Sequence, residues 1–327
     1  PSGRDIVNGP PPNMAGLARA RDEVGNQSYS SSSVAGLLPA SFVSSMLSMA
    51  QTGTATVNLA NSTERMDAGA GPISGFGLWA GGNIAFGTRG GSETTAGSRF
   101  TTDGITIGGD WRVNRQLVLG MGVGYATDKT RFGDDGTKLK SDGTSVAAYG
   151  SYQPTRNTFI DALLGYGTLN FDSNRFVASV DQFAFANRDG HQIFGSLAAG
   201  LEYRNNWLLF SPYGRLGFTY DKLKQVSETG AGQNALTFLG QSQHTFQGSL
   251  GLRAESQHET SYGLVRPRAR IEYRHDFEGG GNAGITYADQ FAGLSYSVAP
   301  VGTKRNFLLL GAGSDFIFRG GLKLGVD

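Results

Sequence analysis

The sequence predicts an all-β transmembrane barrel of about twelve antiparallel strands with an N-terminal helix threading its lumen. Three observations carry the barrel itself: hydrophobicity that alternates with period two from Ser74 onward, connections that alternate between short and long, and strands whose two faces differ in polarity. The sharpest two-faced stretch runs from Arg266 to Arg274. One face carries Arg266, Arg268, Arg270, Glu272 and Arg274; the other carries Pro267, Ala269, Ile271 and Tyr273, with Val265 just before. Successive side chains of a strand point to opposite sides. In a soluble sandwich the apolar side would face a core and the charged side bulk water. In a membrane barrel the apolar side faces lipid and the charged side a wet lumen.

Composition narrows the choice. The chain has 327 residues, a mean hydropathy of −0.25, and no apolar run near the roughly 18–20 residues a transmembrane helix needs. Barrel strands escape that test, because alternating residues average out in any window. Glycine is the outlier, with 50 residues, about 15% against a usual ~7%. It follows no collagen period and is interleaved with Tyr, Phe, Leu and Val, as in strands. A formal net charge of +1, with basic residues spread along the chain, leaves no nucleic-acid footprint. Zero Cys excludes disulfides, thiolate metal sites and thiol catalysis. The N-terminal Pro-Ser-Gly-Arg-Asp is no signal peptide, so an internal piece of an exported precursor is expected.

Residues 1–36, with Pro10-Pro11-Pro12 and a Ser run at Ser30 to Ser33, read as a linker. Residues 37–73 read as a slim pore-threading helix or linker. Leu38, Phe42, Met46, Met49 and Ala50 recur at helical steps after Pro39, Val57, Leu59, Ala60, Glu64 and Met66 allow a second piece, and Ala68-Gly-Ala-Gly-Pro72 stops it. Residues 74–327 then alternate with period two. Phe76, Leu78 and Ala80 share one face; so do Ile105, Ile107 and Trp111, and Leu119, Met121, Val123 and Tyr125. Ile160, Leu164 and Tyr166 oppose Asp161, Gly165 and Gly167; Leu197, Leu201 and Tyr203 oppose Ser196 and Glu202. Leu216, Phe218 and Tyr220 oppose Arg215 and Asp221; Leu250, Leu252 and Ala254 oppose Arg253 and Glu255. After the Arg266 strand come Leu308 to Phe316 and Leu322 to Val326, about eleven strands in all.

Short turns are expected at 112–116, 154–157, 204–207, 257–262 and 319–322. Long polar loops are expected at 88–102, 128–142, 172–190, 224–244 and 276–305. Short turns at one end and long loops at the other are the outer-membrane barrel pattern, and aromatics near strand ends (Trp111, Tyr125, Tyr152, Tyr166, Tyr203, Trp207, Tyr220, Tyr273) suit its two interfacial girdles.

Several runs resemble the translocator domain of monomeric autotransporters. Ser74-Gly-Phe-Gly-Leu-Trp-Ala-Gly-Gly82 looks like its first strand, Phe100-Thr-Thr-Asp-Gly-Ile-Thr-Ile-Gly-Gly-Asp-Trp-Arg112 like its second and Leu119-Gly-Met-Gly-Val-Gly-Tyr125 like its third. Phe210 to Tyr220, Glu228-Thr-Gly-Ala-Gly232 and Phe307 to Gly313 continue the match. The resemblance implies an outer-membrane anchor that exports and displays an N-terminal passenger at the cell surface. It implies three partners: outer-membrane lipid, the barrel-assembly machinery and the passenger in cis. The family closes on a last strand ending in an aromatic, whereas this chain stops at Val326-Asp327; a missing last strand is therefore expected, since an open edge in lipid leaves backbone groups unsatisfied. Two other readings stand beside this one, a stand-alone outer-membrane pore and an adhesin acting through its own loops.

The expected lumenal set is Asp110, Arg112, Asp161, Glu202, Arg215, Arg253, Glu255, Arg266, Arg268, Arg270, Glu272 and Arg274. Guanidinium groups this close repel unless paired, so Asp110, Asp161, Glu202, Asp221 and Glu255 are the expected counter-charges. The row either lines a wet pore or contacts the segment that occupies it. No cofactor or metal is expected. His191, His244, His258 and His275 lack ligand spacing, and Gly120-Met-Gly-Val-Gly124 lies inside a strand rather than before a helix. Residues 57–67 faintly resemble the self-cleaving region of serine protease autotransporters, but Asn58 and Asn61 are not adjacent as that chemistry requires.

Overall fold

A computed structural model of the chain describes residues 55–61, 76–89, 97–205, 207–277, 283–288, 296–298, 305–318 and 322–326. Twelve strands form its frame. They are β1 (Ala55–Asn61), β2 (Phe76–Arg89), β3 (Ser98–Arg112), β4 (Leu117–Phe132), β5 (Thr137–Thr155) and β6 (Thr158–Val177). Then come β7 (Gln182–Leu201), β8 (Leu208–Leu223), β9 (Gln241–Ser256), β10 (Gly263–Asp276), β11 (Asn306–Phe318) and β12 (Leu322–Val326). Each pairs antiparallel with its neighbours in sequence, β8 bridges β7 to β9, and β12 pairs with β1.

The period-two reading holds along these strands. On β4 the outward Leu119, Met121, Val123 and Tyr125 are exposed while the inward Val118 and Ala126 are buried. On β6 the outward Ile160, Leu164 and Tyr166 alternate with the buried Phe159, Asp161 and Leu163. A strand with its larger apolar side chains facing out, such as Leu250 at 70% and Leu310 at 75% exposure, has no place in a water-facing sheet.

Two expectations are corrected. Ala55–Asn61, assigned to the threading helix, is a strand in the wall, with Val57 opposite both Gly82 and Val326. Residues 37–54 and 62–73 of that helix lie outside the described residues, as does the linker 1–36. The physical reason lies in Thr54 to Asn61, which mixes helical and alternating spacing and is rich in β-branched residues. The edges of β2 and β12 offer it unpaired backbone groups, which are costly in a membrane. The second correction concerns the loops. Residues 128–142 and 172–190 are mostly strand, joined by turns at 133–136 and 178–181. β6 and β7 reach 20 residues each, about twice the 9–11 that cross a bilayer. Beyond the apolar belt the outward face is wet, so the polar composition hides a strand whose inward positions remain buried and apolar at Leu139, Phe171 and Ala184.

The short turns are made locally. Asn114 Oδ1 accepts from the amides of Gln116 (2.8 Å) and Leu117 (2.9 Å), and Asn205 Oδ1 does the same for Trp207 and Leu208. Such side-chain turns need no long connection.

Candidate functional site

The inward faces of β8, β9, β10 and β11 assemble a charged wall. Its centre is Glu272, only 1% exposed. Arg215 donates to it through Nη2 at 2.6 and 2.7 Å, Tyr213 donates its hydroxyl at 2.7 Å, and Arg274 donates at 3.2 Å. The strand register makes this possible: Gly251 lies between Tyr213 on β8 and Glu272 on β10, and a Cβ at Gly251 would fall within the Tyr213 ring. Arg253 donates to Glu202 at 3.2 Å and Arg268 lies 3.3 Å from Asp315. Arg266 is buried opposite Asp315 in register, Glu255 is half-buried opposite Arg268, and Arg270 is exposed opposite Arg253.

Other inward polar groups are held differently. Asp110 accepts from the Tyr149 hydroxyl (3.1 Å), Asp161 from Ser151 (2.7 Å) and Asp221 from Gln192 (2.7 Å). Arg112 is half-buried near the short-turn end of β3. Of the expected counter-charges, Glu202 is ion-paired to Arg253. Glu272, expected as one member of the row, is its hub. Asp315, Tyr213, Tyr149 and Gln192 are additional. Asp315 was legible as an inward position of β11; the tyrosines were not, since their role depends on a glycine one strand away.

That dependence can be tested at Gly120. A Cβ there would occupy the Tyr149 ring, so Gly120→Ala must expel the ring or bend β4 and break the Asp110 hydrogen bond. The expected cost is about 1–3 kcal/mol, read as a lower temperature at which the folded band is lost on an unboiled gel. An unchanged temperature would show that the ring relocates freely.

At the long-loop end the inward face turns apolar. Phe100, Phe132, Leu139, Leu169, Phe171 and Leu223 form an inward apolar cluster against which Val226 packs. A small antiparallel sheet of Val226–Ser227, Leu236–Phe238, Ala283–Tyr287 and Tyr296–Val298 sits there. It is latched to the wall by Glu228, which receives Arg175 Nε (2.9 Å) and Nη2 (2.5 Å) as well as the Leu236 amide. Arg188, buried and with its pKa lowered by that burial to about 10, donates to the Lys224 and Leu239 carbonyls. The Phe185 and Thr229 backbones exchange two hydrogen bonds. No sequence signal pointed to Arg175 or Arg188, since each acts on a loop some fifty positions away.

These features match known proteins. The model of the autotransporter β-domain family fits residues 78–327. The chain belongs to that family. Among solved structures it resembles the translocator domain of the autotransporter NalP from Neisseria meningitidis, with a TM-score of 0.54 and 14% identity over 96% of each chain. It also resembles the β-domain of the Bordetella autotransporter BrkA, with a TM-score of 0.52 and 18% identity over 77% of this chain and 98% of that one. At these identities the likeness concerns the fold. Outer membrane protein A of Rickettsia conorii is 28% identical over 211 residues, 61% of this chain and 10% of the relative. An extracellular serine protease of Serratia marcescens is 25% identical over 62% of this chain and 19% of its own length. The chain thus spans less than a fifth of the curated relatives it matches. It is an outer-membrane translocator domain of the type V secretion class.

Within this translocator domain the strand directions are fixed by the turns. β3 runs toward a short turn, so the antiparallel β2 runs away from that end and β1 runs toward it.

Proposed function

We propose that the lumen carries the polypeptide that links the passenger to the barrel, and that the charged wall on β8–β11 is the surface along which that polypeptide passes. The observation behind this reading is the pairing around Glu272. An unpaired guanidinium row would hold acidic segments of a moving chain, whereas Arg215 and Arg274 on Glu272, Arg253 on Glu202 and Arg268 on Asp315 present a surface whose charges are largely paired within the wall. Such a wall tolerates many passing sequences. Arg270, which is exposed, is the member available to a segment at rest there.

The outward apolar belt is the part seated in lipid, placed there by the barrel-assembly machinery. The segment holding Asn58 and Asn61 serves the wall rather than self-cleavage: Asn58 lies opposite Gly81 and Gly325, Asn61 opposite Leu78 and Leu322. The test is Arg268→Glu with Arg270→Glu in the full-length precursor. Passenger reaching the surface, scored by protease added to intact cells, should fall, and conductance of the purified protein in planar bilayers should rise. Wild-type values for both would reduce the row to a passive lining.

A further inference from the structure

The outward face of β3, β4 and β5 changes character beyond the apolar belt. After Leu119, Met121, Val123 and Tyr125, the same face of β4 carries Lys129 and Arg131. The register sets Arg131 between Arg99 on β3 and Lys138 on β5, and Lys129 opposite Lys140. All five side chains are exposed. Like charges directly opposite across antiparallel strands repel, so the sheet gains nothing from this row by itself. The nearby acids offset it mainly at Lys140, which Asp172 faces in register. Asp134 reaches Arg99 only at 3.9 Å and Asp142 reaches Lys140 only at 4.0 Å. Asp172 accepts from Asn187 at 2.6 Å, Asp135 caps the Thr137 amide, and Asp103 lies one further row toward the belt. Among the described residues no ion pair joins Lys129, Arg131 or Lys138.

We propose that this patch binds the phosphates of lipid headgroups in the outer leaflet, and so ties one side of the barrel to phosphorylated glycolipid. The proposal rests on the apolar belt being seated in the membrane. Lys129 lies four residues beyond Tyr125, about 13 Å along the strand and about 10 Å along the membrane normal at a usual tilt of roughly 40°. A headgroup layer is about 5–8 Å thick on each side of the hydrocarbon, within reach of a lysine or arginine side chain folded back toward the belt. Arg99 and Arg131 offer planar forks suited to phosphate oxygens, while Lys129, Lys138 and Lys140 supply point charge. Continuity with the belt selects a lipid over a soluble anion, because the acyl chains of the same molecule would lie on Val123 and Tyr125.

The experiment uses the 327-residue chain folded in neutral detergent, with bis-phosphorylated lipid A, the same lipid with its phosphates removed, and inorganic phosphate as probes. Binding is read from the shift in the temperature at which the folded gel band is lost. Phosphorylated lipid A should raise it saturably, and sodium chloride should weaken the effect; the dephosphorylated lipid and inorganic phosphate should do little. In the triple variant Arg99→Gln, Arg131→Gln, Lys138→Gln the half-saturating lipid concentration should rise at least tenfold. Without lipid, the triple variant should melt higher than wild type, because the repulsion is gone. Equal responses of the wild type to phosphorylated and dephosphorylated lipid would overturn the proposal without any variant, as would inorganic phosphate matching lipid A. Unchanged affinity in the triple variant would overturn it as well. A wild-type chain that fails to enter lipid bilayers at all would instead sink the membrane seating of the belt.

Discussion

Glu272→Ala is expected to destabilise the barrel by roughly 3–5 kcal/mol, the usual cost of removing one partner from a buried ion pair. The carboxylate is the common acceptor for Arg215, Arg274 and the Tyr213 hydroxyl. Arg215 is only 13% exposed and Arg274 only 25%. Its loss leaves two guanidinium groups facing each other with little water to screen them. Heat-modifiability on gels, or urea unfolding in detergent, measures the effect. The counter-test is the combined Glu272→Leu, Arg215→Leu, Arg274→Leu variant. Because replacing a whole buried charge cluster by apolar groups is often close to neutral, much of the lost stability should return. If the single alanine change proves silent, lumenal water rather than Glu272 is neutralising the arginines.

The second large effect concerns the mouth. Glu228 is buried, receives both Arg175 and the Leu236 amide, and ties its loop to the wall alongside Arg188 and the Phe185–Thr229 backbone pair. Glu228→Ala strands Arg175, which is 17% exposed, at a local cost of the same order, about 3–5 kcal/mol. The strands of the frame retain their ladders, so the cost should fall on the small sheet alone. The expected outcome is a folded barrel whose planar-bilayer conductance rises several-fold and whose 224–240 segment becomes open to protease. Conductance and cleavage at wild-type levels would mean that the apolar packing of Val226 on the Phe171 cluster holds the loop without its latch.

How much of this was legible beforehand divides cleanly by physical cause. Alternation within a strand is a local property, and Leu119 to Tyr125 or Ile160 to Tyr166 declare their outward faces in any reading at period two. The lumenal position of Arg266, Arg268, Arg270, Glu272 and Arg274 follows from the same count. The failures fall where locality ends. Residues 128–142 and 172–190 look like loops because their outward positions are polar and their inward apolar ones, such as Phe132, Leu139 and Ala184, are interrupted by Asp128, Thr130, Thr137, Ser173 and Arg188. Ala55–Asn61 looks like part of a helix because its spacing admits either period, and what decides is two sheet edges in need of a partner, one of them more than 260 positions away.

The sequence by itself therefore determined the class of protein: a strand-rich outer-membrane barrel with a charged interior, an apolar exterior and wet loops at one end. Only the tertiary structure decided which charges meet. Arg215 finds Glu272 across 57 positions and Arg175 finds Glu228 across 53. Such pairings depend on register and barrel closure, which are set by the summed hydrogen bonds of all twelve strands and by no residue's immediate neighbours.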